Sequence, residues 1–335
     1  MKNSNVLRED EIRPSDLMEQ KRSCVEADKK FLLDRRGEWV SVPCPACGSL
    51  EQSKWGDKEG FHYSACSSCE TVYTNPRPNQ ELVHEFYDQS QNYDFWNKYI
   101  FPATETTRRE RIFRPRVERT VSILKKHGYS DVSLMEVGAA YGIFCEEAQK
   151  TGFFERILAV EPTPGLAETC RKKGFETIAK PIELIGDEVT VDVVAAFEVI
   201  EHLFCPSDFI KQCRRLINPN GLLLLTCPNV KGFDTSLLRE KSGTFDHEHV
   251  NYFHPKSLGE LLENCGFEVL DTLTPGLLDA DLVKRKVDAG EVSFSEQPFL
   301  EEIFVKRWDE LGGEFQRFLS ENSLSSHLWI VAKKK

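Results

Sequence analysis

The chain has no apolar run near the ~20 residues that span a bilayer. Its opening, MKNSNVLREDEIRPSDL, lacks the apolar core of a secretory signal. Both absences lead to the expectation of a cytoplasmic protein with no membrane partner. Basic charge is short as well, with 43 Lys and Arg against 54 Asp and Glu, a net of −11. The deficit is uneven: residues 1–130 hold 21 basic against 20 acidic side chains, and the rest hold 22 against 34. A surface that acidic repels polyphosphate and argues against a large nucleic-acid footprint. It still allows a small charged substrate held by a few local arginines. A disulfide framework is also missing. The eleven cysteines are odd in number and mostly dispersed, a pattern that without an export signal does not suggest crosslinks. Cys213 and Cys265 read as small buried hydrophobes.

Four cysteines are not dispersed. Cys44-x2-Cys47 and Cys66-x2-Cys69 stand 18 residues apart. Two such knuckles bring four thiolates to the corners of a tetrahedron, which suits a structural Zn²⁺ with a closed coordination sphere. The alternative is a redox pair beside two coincidental cysteines. A small zinc ribbon over 39–80 is a scaffold and names no function.

Residues 1–38 are polar and without apolar periodicity, so a loose tail or a marginal helix is expected there. Residues 81–130 read as a helical linker or cap, beginning with ELVHEFYDQS. From residue 133 strands alternate with helices: SLMEVG, a helix over 142–151, RILAVEP, a helix over 164–174, VDVVAAFEV, a helix opened by Pro206 and stopped by Pro219 and Gly221, then GLLLLTCP. The continuous apolar runs are those of strands buried on both faces of a parallel sheet. The pattern over 131–335 predicts a doubly wound α/β domain, with a helical insertion over 275–325 before a last strand in SSHLWIVAKKK.

Gly138 and Gly142 fall at the first strand-to-helix turn, where a missing side chain lets a ligand approach the backbone. Glu161 ends the second strand, 23 residues after Gly138, where an acid can accept hydrogen bonds from a ribose. Ala140 replaces the middle glycine of the dinucleotide fingerprint, and no basic phosphate cradle follows. Both points favour a nucleoside ligand without phosphates over NAD or FAD.

The segments LMEVGAAYGIF, AVEPTPG, VDVVAAFEVIEHLFCPSDFI and INPNGLLLLTCPN resemble successive signatures of class I S-adenosylmethionine-dependent methyltransferases. The resemblance covers about 133–274 and the final strand. It implies a doubly wound, seven-stranded, mostly parallel Rossmann-like sheet. It further implies that Glu136, Gly138, Ala140, Tyr141 and Gly142 line the methionine and ribose end of S-adenosylmethionine, that Glu161 with Pro162 binds the ribose, and that Phe197, Glu198 and His202 lie beside the cofactor.

FDHEHVNYFHPKSL, residues 245–258, carries three of the eight histidines and follows the fifth strand, on the edge where ligands sit. Because methyl transfer needs alignment and removal of a proton, a histidine there is a natural acceptor. The order of cysteine module, methyltransferase domain and His–Glu–His segment is similar to bacterial deoxysugar C-methyltransferases, which act on nucleotide-linked keto sugars. That similarity implies His249 as base, Glu248 orienting it, and His247 in an uncertain role. The tyrosine expected before the pair is absent, since Phe245 and Asp246 stand there, so C- and O-methylation both stay open. His247 and His249 could instead share a metal, but two ligands do not make a site. His254 reads as a helix-entry residue.

Six arginines between 108 and 119 form either a solvated helix face or a grip on a diphosphate. Tyr87 and Tyr93 could close over the sulfonium. The resulting expectation is an S-adenosylmethionine-dependent methyltransferase with structural Zn²⁺ acting on a small sugar-like acceptor, not on nucleic acid. The rivals are a zinc-ribbon RNA methyltransferase, opposed by the charge, and a non-catalytic binding protein that keeps the fold.

Overall fold

A computed structural model describes residues 7–335; the first six residues of the expected tail lie outside the described residues. Besides a two-residue pair, Trp39–Val40 with Arg77–Pro78, the strands are β1 (Gln52–Lys58), β2 (Phe61–Cys66), β3 (Val72–Thr74), β4 (Val132–Val137), β5 (Phe154–Val160), β6 (Glu176–Ile178), β7 (Val191–Phe197), β8 (Ile217–Pro228), β9 (Asn251–Tyr252), β10 (Phe267–Leu273) and β11 (His327–Lys334). Seven of them form one sheet in the order β10-β11-β8-β7-β4-β5-β6. Only β11 runs against its neighbours. This is the doubly wound, seven-stranded, mostly parallel sheet that the alternation and the resemblance led to.

The apolar runs account for its core. Leu222 and Leu224 of β8 pack on one face, Leu223 and Leu225 on the other, and all four are fully buried. Truncating any one of them to alanine costs about 2–5 kcal/mol. Helices Ile143–Lys150, Pro164–Lys172, Pro206–Leu216 and Pro255–Asn264 cover the faces. The third of these stops at Leu216, because Asn218–Gly221 already extend β8 as a bulge whose register jumps between Ile217 and Leu222. A Cβ on Gly221 would lie 2.4 Å from the Asp192 carbonyl oxygen.

The described part of 1–38, expected as a loose tail or a marginal helix, forms helices Glu9–Ile12, Ser15–Gln20 and Arg22–Leu33. Apolar periodicity failed to reveal it because a central anchor is polar. Asp28, 4% exposed, accepts hydrogen bonds from Ser90 Oγ (2.6 Å), Gln91 N (2.9 Å) and Asn92 N (3.0 Å), closing the open N–H end of helix Gln91–Phe95. The helical stretch from Gln91 to Lys126 carries two wide π turns, Trp96–Ile100 and Arg109–Phe113. Pro102 and Pro115 follow them, and a proline lacks the N–H that would continue the ladder. Before β11, helices Asp279–Asp288 and Trp308–Glu321 close around Phe304 and Phe294. No described helix is long and apolar enough to cross a membrane.

The small sheet has the order β9-β3-β2-β1, so its edge strand comes from the segment after the His–Glu–His residues. Asn251 pairs with Tyr73 and Tyr252 with Val72. Buried Arg77 donates to Asn251 Oδ1 (3.0 Å), and Asn251 Nδ2 donates to the Leu203 (2.8 Å) and Ile200 (3.1 Å) carbonyls. The His254 ring bonds the Cys69 carbonyl at 2.9 Å, beyond the helix-entry role expected of it.

Candidate active site

The chain crosses the sheet in one direction from β4 to β6, then returns to place β7 on the other side of β4. Ligands of open α/β sheets bind outside the carboxyl ends of the strands at such a reversal. Gly138, Ala140 and Gly142 leave β4 with φ of 77°, 45° and 67°, a left-handed path. A Cβ on Gly138 would come 2.9 Å from Val199 Cγ2 across that reversal. Ala140 N–H donates to Glu161 Oε2 (2.8 Å) and Thr163 N–H to Glu161 Oε1 (2.9 Å). Glu161 is 5% exposed, and burial raises its pKa despite those donors. Pro162 continues the same wall. Tyr141 donates its hydroxyl to the Asn97 carbonyl and ties this loop to the π turn Trp96–Ile100. Under the loop, burial pushes the Glu136 carboxyl up to about 8, and it accepts from Cys145 Sγ at 3.0 Å.

At the end of β7, Phe197 packs on Phe144 and Trp329, with the Arg116 guanidinium 4.6 Å above its ring. Glu198 (φ 56°) meets His327 Nε2 at 2.9 Å. Burial works to raise its carboxyl, but His327, Arg116 and Thr226 outweigh it and hold it at about 2. Next to it, burial and then the Glu198 charge push Glu201 up to about 8, and among the described residues neither Glu201 oxygen has a hydrogen-bond partner.

The three expected residues of the His–Glu–His segment go to different places. His249 lies against His202, with 4.6 Å between ring centroids. Its Nδ1 bonds the Thr244 carbonyl (2.8 Å) and lies 3.6 Å from Asp246 Oδ2. Burial disfavours its protonation, yet Asp246 and Glu201 outweigh burial and lift it to about 9. His202 goes the other way, held at about 3 by burial and by His249. Glu248 was expected to orient His249. Its carboxylate instead accepts from Asn92 Nδ2, and the Thr244 carbonyl holds the His249 ring, with the Asp246 carboxylate nearby. His247 does not share a ligand position with His249; its ring is buried against Phe86 and beside Glu248.

The arginines divide similarly. Arg109 and Arg114 reach across to buried Glu147 of helix Ile143–Lys150. Arg116 reaches the end of β7, and Arg108 lies 5.3 Å from the Trp96 ring. Tyr87 and Tyr93 pack edge to face, 5.3 Å apart, on the cleft wall.

Cys44, Cys47, Cys66 and Cys69 bring their sulfurs within 4.8 Å of one another. Both knuckles repeat one geometry. Gly48 N–H donates to the Cys44 carbonyl and Glu70 N–H to that of Cys66, with left-handed φ of 76° and 60°.

Sequence reasoning missed Asp28, Asn92, Thr244, Asp246 and Glu201. Glu201 and Asp246 stood inside the quoted signatures, where an acid beside a histidine was the available signal. Asp28 had none.

Residues 105–272, half of the chain, match the family described as Methyltransferase domain. The chain belongs to that methyltransferase family. A Mycolicibacterium smegmatis protein described as a probable S-adenosylmethionine-dependent methyltransferase is 37% identical over 91 residues, 27% of this chain and 34% of that one. The ubiquinone biosynthesis O-methyltransferase of Colwellia psychrerythraea is 25% identical over 161 residues, 44% of this chain and 65% of its own length. The methyltransferase thus spans less than two thirds of either relative. A solved S-adenosylmethionine-dependent methyltransferase from Clostridium acetobutylicum aligns with a TM-score of 0.47 at 9% identity, over 71% of this chain and 98% of that one. The methyltransferase segment 105–272 runs from the cap helix to β10 and contains Gly138, Glu161, Glu198 and His249.

Proposed function

We propose that this methyltransferase moves the methyl group of S-adenosylmethionine to a small, sugar-like, phosphate-bearing acceptor in the cytoplasm, with His249 taking the acceptor's proton. The observation that carries the reading is the His249 ring. Thr244 fixes its Nδ1–H, which leaves Nε2 as the nitrogen free to take a proton. S-adenosylmethionine supplies the electrophilic methyl. Each Glu161 oxygen accepts one backbone N–H and keeps a lone pair for a ribose hydroxyl. The open backbone from Gly138 to Gly142 suits the methionine end. The cleft measures about 2470 Å³, against roughly 300–1,000 Å³ for one drug-sized ligand, so cofactor and acceptor fit together.

Lys21 and Arg108 flank Trp96 at 5.1 and 5.3 Å, and burial lowers the pKa of both. Among the described residues neither makes an ion pair within 4 Å, which supports an anionic acceptor such as a nucleotide-linked sugar. The net charge of −11 supports a small molecule over RNA. Cys44, Cys47, Cys66 and Cys69 would hold a structural Zn²⁺. Their Sγ pairs at 3.5 Å approach the roughly 3.8 Å edge of a tetrahedron with ~2.3 Å Zn–S bonds.

The likeness to a ubiquinone biosynthesis O-methyltransferase favours a hydroxyl over a carbon as the methyl-receiving atom. Labelled S-adenosylmethionine offered with nucleotide-linked sugars, and separately with a catechol, tests the reading. Label on the sugar supports it; label on the catechol alone, or an undiminished rate in His249→Gln, defeats it.

A further inference from the structure

Among the described residues two clusters of metal-ligating side chains stand apart from the thiols, Glu201 with His202 and His249, and Asp28 with His247 and Glu248, and in each one ligand atom per residue lies within 4.8 Å of the others. His247 is 6% exposed, and among the described residues neither of its ring nitrogens has a hydrogen-bond partner. An imidazole buried in that way is costly unless something else occupies its nitrogens. Its Nε2 lies 3.6 Å from Glu248 Oε1. That separation is too long for a hydrogen bond, yet it is close to the roughly 3.4 Å edge of a tetrahedron whose metal–ligand bonds are ~2.1 Å.

The carboxylates are already oriented. Asp28 Oδ2 accepts from Ser90 Oγ and Asn92 N, while Oδ1 accepts only Gln91 N and keeps a lone pair. Glu248 is held by Asn92 Nδ2. Asn92 Oδ1, on that same amide, is buried without a partner among the described residues. Such outer contacts fix ligands before an ion arrives.

We infer that Asp28, His247 and Glu248 bind a first-row divalent cation, with Asn92 beside it. One imidazole and two carboxylates favour Zn²⁺ or Mn²⁺ over Ca²⁺ or Mg²⁺. The ion would pin helix Arg22–Leu33 to the segment that carries His249, which stands two residues from His247. The inference rests on this cluster alone and does not depend on methyl transfer.

Metal analysis of the full chain grown with Zn²⁺ tests it. Two equivalents are expected; Cys44→Ser with Cys47→Ser loses one, and His247→Gln loses the other. Co²⁺ substitution gives an independent reading: the thiolate charge-transfer band stays in His247→Gln while the weaker visible bands of a nitrogen and oxygen site disappear. One equivalent in the natural chain, assigned to thiolate by its Co²⁺ spectrum, would overturn the inference. So would two equivalents kept by both His247→Gln and Asp28→Asn. Because the natural chain alone yields the first of these outcomes, a variant that fails to fold leaves the test intact.

Discussion

The imidazoles of His202 and His249 lie 4.6 Å apart between centroids, tilted by 59°. Two imidazolium ions cannot share that space cheaply, and the surroundings decide which ring carries the proton. Burial disfavours a charge on both. Asp246, and Glu201 when it is ionised, compensate His249 and lift it to about 9, whereas His202 stays near 3. At neutral pH the pair therefore carries one positive charge, on His249. The ring assigned to accept a proton must first lose one.

This fixes the sign of a pH profile. His249 is protonated below about 9, so its basic form grows as pH rises towards that value. With a saturating cofactor, kcat/KM should rise by about tenfold per pH unit from neutrality and level off near pH 9. His249→Gln should lower kcat by roughly 10²–10⁴ and remove the limb. Retention of the same limb in the variant would assign it to another group, with Glu201 the nearest alternative.

Cofactor binding should depend on Glu161 more than stability does. Glu161→Ala leaves the Ala140 and Thr163 N–H groups without their acceptors, at about 1–3 kcal/mol each where water cannot replace them. Opened to the cleft, those N–H groups can be rehydrated, while the lost ribose contacts cannot be replaced. We expect calorimetry to show S-adenosylmethionine affinity reduced at least about tenfold, against a modest fall in Tm. Gly138→Ala should weaken binding too, since its Cβ would press on Val199 at 2.9 Å.

The join between the cysteine module and the sheet should be fragile at Asn251. Its side chain accepts from buried Arg77 and donates to the Ile200 and Leu203 carbonyls beside His202. Asn251→Ala orphans all of these and should destabilise the chain by about 2–3 kcal/mol in denaturant unfolding. A change below about 0.5 kcal/mol would mean that water enters and replaces the amide.

Much of this was legible in the sequence, for identifiable reasons. Strands β4, β7 and β8 are buried on both faces and so appear as unbroken apolar runs. Glu161 was found because a strand end at fixed spacing after Gly138 is a local signal. The His–Glu–His segment was placed on the correct edge by chain order alone. Its division was not legible, because whether His247 turns to Asp28 and His249 to His202 depends on side chains brought from distant parts of the chain. Polar anchors have no periodicity, which hid helix Arg22–Leu33. Strand β9 is two residues long, too short for any pattern, and it joins the module to the site.

That short strand yields the last prediction. Thr74 N–H donates to the Val250 carbonyl (3.0 Å), Tyr252 Oη–H to the His249 carbonyl (2.7 Å), and Val250 N–H to the Glu201 carbonyl (2.9 Å). The backbone that follows His249 is thus held between β3 and the loop after β7. If Cys44, Cys47, Cys66 and Cys69 hold Zn²⁺, the metal fixes β3 from below, and its loss should loosen His249 without reaching Glu161. Cys44→Ser with Cys47→Ser should therefore release one zinc, lower Tm, and cut kcat by about tenfold or more, while the affinity for S-adenosylmethionine changes less than about twofold. An equal loss of cofactor affinity would show that the module supports the whole sheet, and unchanged kcat in the zinc-free variant would detach it from the acceptor side altogether.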